Sequence, residues 1–197
     1  MLNSLLQNKN FLNEVKAFQK KHADIVLDII LFGSIVRGAE KPGDIDILML
    51  YAVKEDQNLN YELRKKLESI IARPVSITGR SYAQLFQKTF NPREGILSEG
   101  ISLIRMEAMS EGFGYNSFAL FTYALKNLNN SQRTRFYYSL YGRKRDGGII
   151  KKLSAIKLTD TVLLVPQRHS DEARAYFEHW KIEYKIVPAL LPLRVSL

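Results

Sequence analysis

Two apolar strands and the segment that joins them most constrain how this chain can fold. The run Ile25–Phe32 is almost entirely apolar, which is typical of a strand buried on both faces of a sheet. Gly33 and Ser34 follow, and after nine intervening residues Asp44 and Asp46 open a second apolar strand. Because side chains alternate along a strand, these two carboxylates leave the same face, about 7 Å apart at Cα. Carboxylates in such a strand predict a cation or a solvent-facing end, because unpaired charges are costly to bury.

The Gly33–Ser34 turn is a candidate phosphate site. A glycine-containing turn can present backbone N–H groups to an anion, especially where a helix begins. Ser34 is suited to cap a short helix through Arg37, which Gly38 would end. Two carboxylates that face such a turn are what a divalent cation bridging to a nucleoside triphosphate requires. The pattern therefore predicts a nucleotide and metal site, and a chance acidic pair is the alternative.

The combination of Gly33–Ser34 with Asp44 and Asp46 resembles the hallmark of the minimal nucleotidyltransferase domains in the DNA polymerase β-like superfamily. The resemblance in layout covers residues 24–104, and specific residues match between positions 32 and 48. It implies that Gly33 and Ser34 bind the nucleotide, that Arg37 neutralises phosphate, and that Asp44 and Asp46 are catalytic residues holding Mg²⁺ or Mn²⁺. The implied reaction transfers a nucleoside monophosphate to a hydroxyl of RNA or protein, with pyrophosphate leaving.

One departure from the superfamily concerns a third carboxylate, which active members usually carry on a following strand. The predicted third strand, Pro74–Thr78, offers two alternating pairs of side chains, and neither is acidic: Ser76 and Thr78, or Val75 and Ile77. Glu94 or Glu99 of the next segment is a candidate substitute. The alternative to an enzyme is therefore a catalytically silent module that binds nucleotide, nucleic acid or a partner protein, for example an antitoxin-like one.

The order of elements predicts an α/β (α+β) fold, with a nucleotidyltransferase-like mixed sheet flanked by helices and a smaller α+β C-terminal region. A change of composition at 107–115 predicts a linker, and hence domains 1–107 and 108–197. Predicted helices are Asn3–Lys21, a helix capped by Asn58 or Asn60 and ending at Ile71, Tyr82–Lys88 capped by Ser81, a turn at Asn91–Glu94, Phe118–Leu128, Ser131–Tyr141, and Ser170–Lys181. Further predicted strands are Asp44–Tyr51, Ile101–Ile104, Thr161–Val165 and Ile182–Val187.

A basic cluster lies in the second region. The whole chain has a net charge of +9, from 29 basic and 20 acidic residues, which favours polyanionic partners. The cluster predicted to contact an RNA or protein acceptor consists of Arg133, Arg135, Arg143, Lys144 and Arg145. Tyrosines interleave with it, and cations beside aromatic faces suit looped or single-stranded RNA. The alternative is that these aromatic side chains pack in a core while the charges form a solvated loop or an oligomer contact.

Cysteine usage and hydropathy narrow the expectations further. The chain has no cysteine, which excludes disulfides, thiolate catalysis and cysteine-ligated zinc. No apolar run is long enough to span a bilayer, so we expect a cytoplasmic protein without membrane association. The sequence is compatible with either a monomer or an oligomer.

Overall fold

The computed structural model describes residues 2–37, 39, 42–143 and 147–195. The chain divides into two compact units, Met1–Phe113 and Gly114–Leu197. The predicted linker at 107–115 is instead largely regular structure, because a short strand and a short helix occupy residues 107–112. The boundary that composition suggested at residue 107 therefore falls inside the first unit.

The first unit consists of a sheet with helices on both sides. Its elements are α1 (Leu2–Leu6), α2 (Lys9–Lys21), β1 (Val26–Phe32), β2 (Ile45–Tyr51), α3 (Gln57–Ile71), β3 (Val75–Ser81), α4 (Tyr82–Leu85), α5 (Arg93–Glu99), β4 (Ile101–Ser102), β5 (Glu107–Ala108) and α6 (Met109–Gly112). The strand order is β3-β2-β1-β4-β5. Strand β2 runs parallel to β3 and antiparallel to β1, and β4 is antiparallel to both β1 and β5. The predicted mixed sheet flanked by helices is confirmed.

The two faces of this sheet pack against different elements. Ile29 and Ile47 belong to the larger core, which also contains apolar side chains of α2 and α3. Ile30 and Leu48 belong to a smaller cluster with Phe90, Ile96 and Met109. Because side chains alternate along a strand, Asp46 shares the face of Leu48. Asp46 therefore lies on the face covered by the smaller cluster.

Two helix starts in the first unit differ from the prediction, and in both cases a nearby side chain caps the helix. The predicted N-terminal helix is divided in two, because Asn8 caps α2 by accepting a hydrogen bond from the Phe11 amide at 3.1 Å. Helix α3 is capped by Asp56, which accepts from the Asn58 amide at 2.8 Å, and not by Asn58 or Asn60. The predicted Ser81 cap is confirmed, although helix α4 ends early, at Leu85.

The second unit is a four-stranded antiparallel sheet with order β7-β8-β6-β9. Its elements are β6 (Tyr115–Ala124), α7 (Asn130–Tyr141), α8 (Gly148–Lys152), β7 (Ile156–Thr159), β8 (Val162–Pro166), a 3₁₀ helix (Gln167–His169), α9 (Ser170–His179) and β9 (Glu183–Pro192). The predicted helix Phe118–Leu128 is wrong, because most of it lies in the interior strand β6. Alternate β6 side chains, including Phe121, enter an aromatic core in which the Phe121 and Phe177 rings stack with centroids 5.4 Å apart. Across the described residues, no helix has the length and apolarity needed to cross a membrane.

Candidate nucleotide and metal site

The Gly33–Ser34 turn adopts a conformation that requires glycine at its first position. Gly33 has φ of +82°, in the left-handed region that L side chains rarely adopt. A Cβ atom at this position would lie 2.3 Å from Oδ2 of Asp46. The turn backbone therefore lies so close to the Asp46 carboxylate that a side chain at position 33 would displace it.

The residues after Gly33 form hydrogen-bonded turns where a helix capped by Ser34 was predicted. The amides of Val36 and Arg37 donate to the Gly33 carbonyl at 3.1 and 3.4 Å, and the Ala39 amide donates to the Ser34 carbonyl at 3.1 Å. The predicted helix is therefore wrong, and Gly38, its predicted end, lies outside the described residues. The amides of Ser34 and Ile35 take part in none of these turn bonds. Consecutive backbone amides of this kind can face an anion without a regular helix.

The acidic pair lies at the start of β2, beside the end of β1. The antiparallel register pairs Phe32, the last residue of β1, with Asp46. Gly33, which follows β1, therefore lies beside the beginning of β2. Asp44 is exposed and immediately precedes β2, whereas Asp46 is half-buried within it. Burial raises the pKa of the Asp46 carboxyl, the Asp44 carboxylate raises it further, and the Arg37 guanidinium lowers it. The structure thus brings together the turn, Arg37 and both aspartates.

Arg37 makes a close ion pair with a residue distant in sequence. Its Nη1 lies 2.6 Å from Oε2 of Glu99, at the end of α5. Glu99 is only 13% exposed and Arg37 is 30% exposed, so this pair is shielded from bulk water more than most surface pairs. Glu99 was predicted only as a substitute for the third carboxylate. The sequence contains no signal that connects it with Arg37.

No third carboxylate joins the acidic pair from β3. The parallel register places Ser76 beside Asp46 and Thr78 beside Leu48. Val75 and Ile77 belong to the larger core on the opposite face, so Ser76 and Thr78 are the pair that shares the face of Asp46. Within residues 2–37, 39, 42–143 and 147–195, no group of three or more His, Cys, Asp or Glu side chains is arranged to hold a metal ion. Two carboxylates therefore define the acidic part of this site in the described chain.

The donor set fits a magnesium-like cation that retains water and phosphate ligands. Mg²⁺ prefers oxygen ligands and is usually bound by one or two carboxylates together with substrate phosphates. Two neighbouring carboxylates, one of them half-buried with a raised pKa, are the arrangement that a divalent cation would stabilise electrostatically. Asp44 and Asp46 can therefore serve as the protein ligands of such an ion.

Two cavities of the first unit lie apart from these residues. One, of about 470 Å³, is lined by residues 77–80 of β3 and by side chains of the α3 region that include Asn60 and Arg64. The other, of about 310 Å³, is lined by apolar side chains and by the ion pair of Asp28 with Arg105. The lining of neither cavity includes the Gly33–Ser34 turn or the acidic pair.

Three residues of the basic cluster in the second unit lie in the described part of the chain, and one of them binds the backbone. Arg133 uses its Nε to bind the Leu128 carbonyl at 2.9 Å, which holds the loop before α7. Arg143 lies over the exposed Tyr138 ring at 5.0 Å, and Arg135 is exposed. Lys144 and Arg145 lie outside the described residues. Phe136 and Leu140 of the same helix are buried, as the packing alternative predicted.

Charge is distributed unequally between the two units. The segment 114–197 contains 14 of the 29 basic residues but only 6 of the 20 acidic residues. The first unit, with 15 basic and 14 acidic residues, is close to neutral. Most of the excess positive charge of the chain therefore belongs to the second unit.

Comparison with protein families supports the interpretation of the first unit. Residues 9–101 match the family described as nucleotidyltransferase domain. This match includes the turn, Arg37, both aspartates and Glu99, and it confirms the resemblance identified from Gly33–Ser34 and the acidic pair. Among curated proteins, none matches this chain.

Several solved structures are similar to part of the chain. A mutant of the toxin–antitoxin MntA–HpeT is 22% identical, with a TM-score of 0.37, over 47% of this chain and 70% of that chain. A toxin–antitoxin with AMP-PNP is 24% identical, with a TM-score of 0.37, over 47% of this chain and 71% of that chain. The tri-AMPylated Shewanella oneidensis HEPN toxin in complex with MNT antitoxin gives 22% identity and a TM-score of 0.34, over 52% of this chain and 71% of that chain.

Proposed function

Because residues 9–101 match the nucleotidyltransferase domain family, we propose that this protein transfers a nucleoside monophosphate from a nucleoside triphosphate to a hydroxyl of RNA or protein, with pyrophosphate leaving. The observation that most supports the proposal is the close approach of the Gly33 backbone to the Asp46 carboxylate. A candidate phosphate-binding turn and a candidate metal ligand are thereby adjacent. Phosphoryl-transfer catalysis depends mainly on positioning and electrostatic stabilisation, which such adjacency provides.

In the proposed site, each group has a separate role. The amides of Ser34 and Ile35 face phosphate oxygens, and Arg37 supplies positive charge beside them. Asp44 and Asp46 hold Mg²⁺ or Mn²⁺, and the bound cation would neutralise charge on the triphosphate. Arg37 also favours the ionised form of Asp46, because it lowers the pKa that burial raises.

The second unit is the proposed acceptor-binding region. Its excess of basic residues and the exposed pair of Arg143 with Tyr138 suit an RNA, through phosphate contacts and base stacking. A protein acceptor with an acidic surface would use the same charges.

A catalytically silent nucleotide-binding module is the second candidate, and one observation favours it. Ser76 and Thr78 occupy the face of β3 beside Asp46, and neither can act as a carboxylate base. A positioned general base contributes about 10²- to 10⁴-fold to rate in typical enzymes. A protein without one could still bind a nucleotide and a partner protein, as an antitoxin-like module would.

Label transfer distinguishes the two candidates. The protein is incubated with α-labelled nucleoside triphosphates, Mg²⁺ or Mn²⁺, and RNA or protein acceptors, in parallel with Asp44→Ala/Asp46→Ala. If the protein is an enzyme, we expect transfer by the wild type and none by the double variant. Nucleotide binding without transfer to any acceptor would instead support the silent module, and absence of both would refute the nucleotide site.

A further inference from the structure

The ion pair of Arg37 with Glu99 connects the candidate nucleotide site to helix α5. Arg37 lies just after the Gly33–Ser34 turn, and Glu99 is the last residue of α5, 62 positions away. The 2.6 Å separation is that of a charge-assisted hydrogen bond, in which Nη1 donates to Oε2. Its two charges are largely sheltered, with exposed fractions of 30% and 13%.

Burial distinguishes the contact between Arg37 and Glu99 from an ion pair formed within α5. Arg93 and Glu94 are 3.9 Å apart, and Glu94 is 87% exposed. Exposed pairs of that kind restrain their side chains weakly, because water and salt screen the attraction. A short, sheltered pair restrains the guanidinium far more strongly. The pair with Glu99 therefore limits the positions that the Arg37 side chain can occupy.

We propose that Glu99 is a positioning residue that holds the Arg37 guanidinium beside the phosphate-binding turn and the acidic pair. The proposal rests on the proposed function of this site. A guanidinium has five N–H donors in a planar fork, so a single arginine can bind a carboxylate and a phosphate at the same time. A pre-ordered side chain loses less conformational entropy when the triphosphate binds. In this role Glu99 acts through Arg37 and is not a third metal ligand.

The proposal predicts how nucleotide affinity responds to substitution. Glu99→Gln removes the charge but keeps the shape, and we expect it to weaken triphosphate binding about 2- to 10-fold, the range for ordering one long side chain. Arg37→Gln should weaken binding by more, because the phosphate contact itself is lost. The double variant should bind no worse than Arg37→Gln alone, since Glu99 has nothing left to position. Glu99→Asp should restore part of the affinity.

The test combines calorimetry with a measurement that requires no activity. Affinities for ATP, GTP, CTP and UTP with Mg²⁺ are measured for the wild type, the two single variants and the double variant, with Glu94→Gln as the matched control on α5. Side-chain ¹⁵N spectra of Arg37 report rotation of its guanidinium, which should be restricted in the wild type and fast in Glu99→Gln. The spectra test the restraint even if no triphosphate binds, in which case the proposed function fails separately.

Two binding results would overturn the positioning role. One is unchanged or tighter triphosphate binding by Glu99→Gln. The other is an equal loss on Glu99→Gln in the presence and absence of Arg37, which would make Glu99 an independent contributor. Unchanged rotation of the Arg37 guanidinium in Glu99→Gln would likewise refute the restraint, because it would show that Glu99 does not hold this side chain.

Discussion

Replacement of Gly33 by alanine tests the proximity of the turn to the acidic pair. Two structural costs arise at this position. A side chain at φ of +82° is strained by about 1–2 kcal/mol, because Cβ crowds the following carbonyl. The new Cβ would also lie 2.3 Å from Oδ2 and 3.1 Å from Cγ of Asp46, so the carboxylate must move, at a cost of about 1–3 kcal/mol for overpacking. We therefore expect Gly33→Ala to lower the free energy of unfolding by about 2–5 kcal/mol and to weaken metal-dependent nucleotide binding.

A double-mutant cycle separates the two costs. Asp46→Ala removes the atoms of the carboxyl group that the new methyl group would meet, so the second substitution should cost less in the Asp46→Ala background. Gly43→Ala is the matched control, because it lies between the same strands and a Cβ there meets no atom within 4 Å. Urea unfolding gives the free energies, and isothermal titration with nucleotide and Mg²⁺ gives the binding. Equal effects of Gly33→Ala and Gly43→Ala, or an unchanged cost of Gly33→Ala without the Asp46 carboxyl, would refute this reasoning.

Three further substitutions test other contacts. Because the pKa of Asp46 is raised in the folded protein, the wild type should lose stability relative to Asp46→Asn as pH rises from about 4 through that raised pKa, by at most about 1.4 kcal/mol per pH unit. Urea unfolding at several pH values measures the difference in stability, and a constant difference would contradict this prediction. Ser102 donates to the buried Asp28 carboxylate at 2.9 Å, so Ser102→Ala should lower the free energy of unfolding by about 1–3 kcal/mol at pH 7 and by less in acid. Thermal unfolding measures this loss, and a loss that does not depend on pH would disprove the role of the charge. Asn129 caps α7 by accepting from the Gln132 amide at 2.9 Å, so Asn129→Ala should cost about 1 kcal/mol in denaturant unfolding, and no loss would contradict the cap.

Local sequence chemistry was sufficient where an element is specified by its own residues. Strands β1 and β2 were predicted because each is an apolar run, and Gly33 and Ser34 after the first run predicted a turn there. The Ser81 cap was predicted for the same reason, since the serine side chain binds an amide three residues away. In each case the interacting groups are close in sequence.

Predictions failed where packing decides between two local preferences. Residues 118–128 can form either a helix or a strand by composition, and β6 forms because β8 and β9 pair with it on both sides. Ser34 is a good helix cap, yet the chain forms turns after Gly33, whose backbone lies close to the Asp46 carboxylate. A local sequence pattern does not specify which strands will pair or where the backbone will approach a side chain from another strand.

The sequence by itself indicated the resemblance of the first unit to nucleotidyltransferase domains and the pair of carboxylates at its candidate site, because Gly33, Ser34, Asp44 and Asp46 lie within one short segment. The tertiary structure alone decided which β3 side chains accompany Asp46, through the parallel register that places Ser76 beside it. It also decided that Glu99 pairs with Arg37. These contacts join residues far apart in the chain, and their partners are selected by strand register and burial, which no local spacing of residue types encodes.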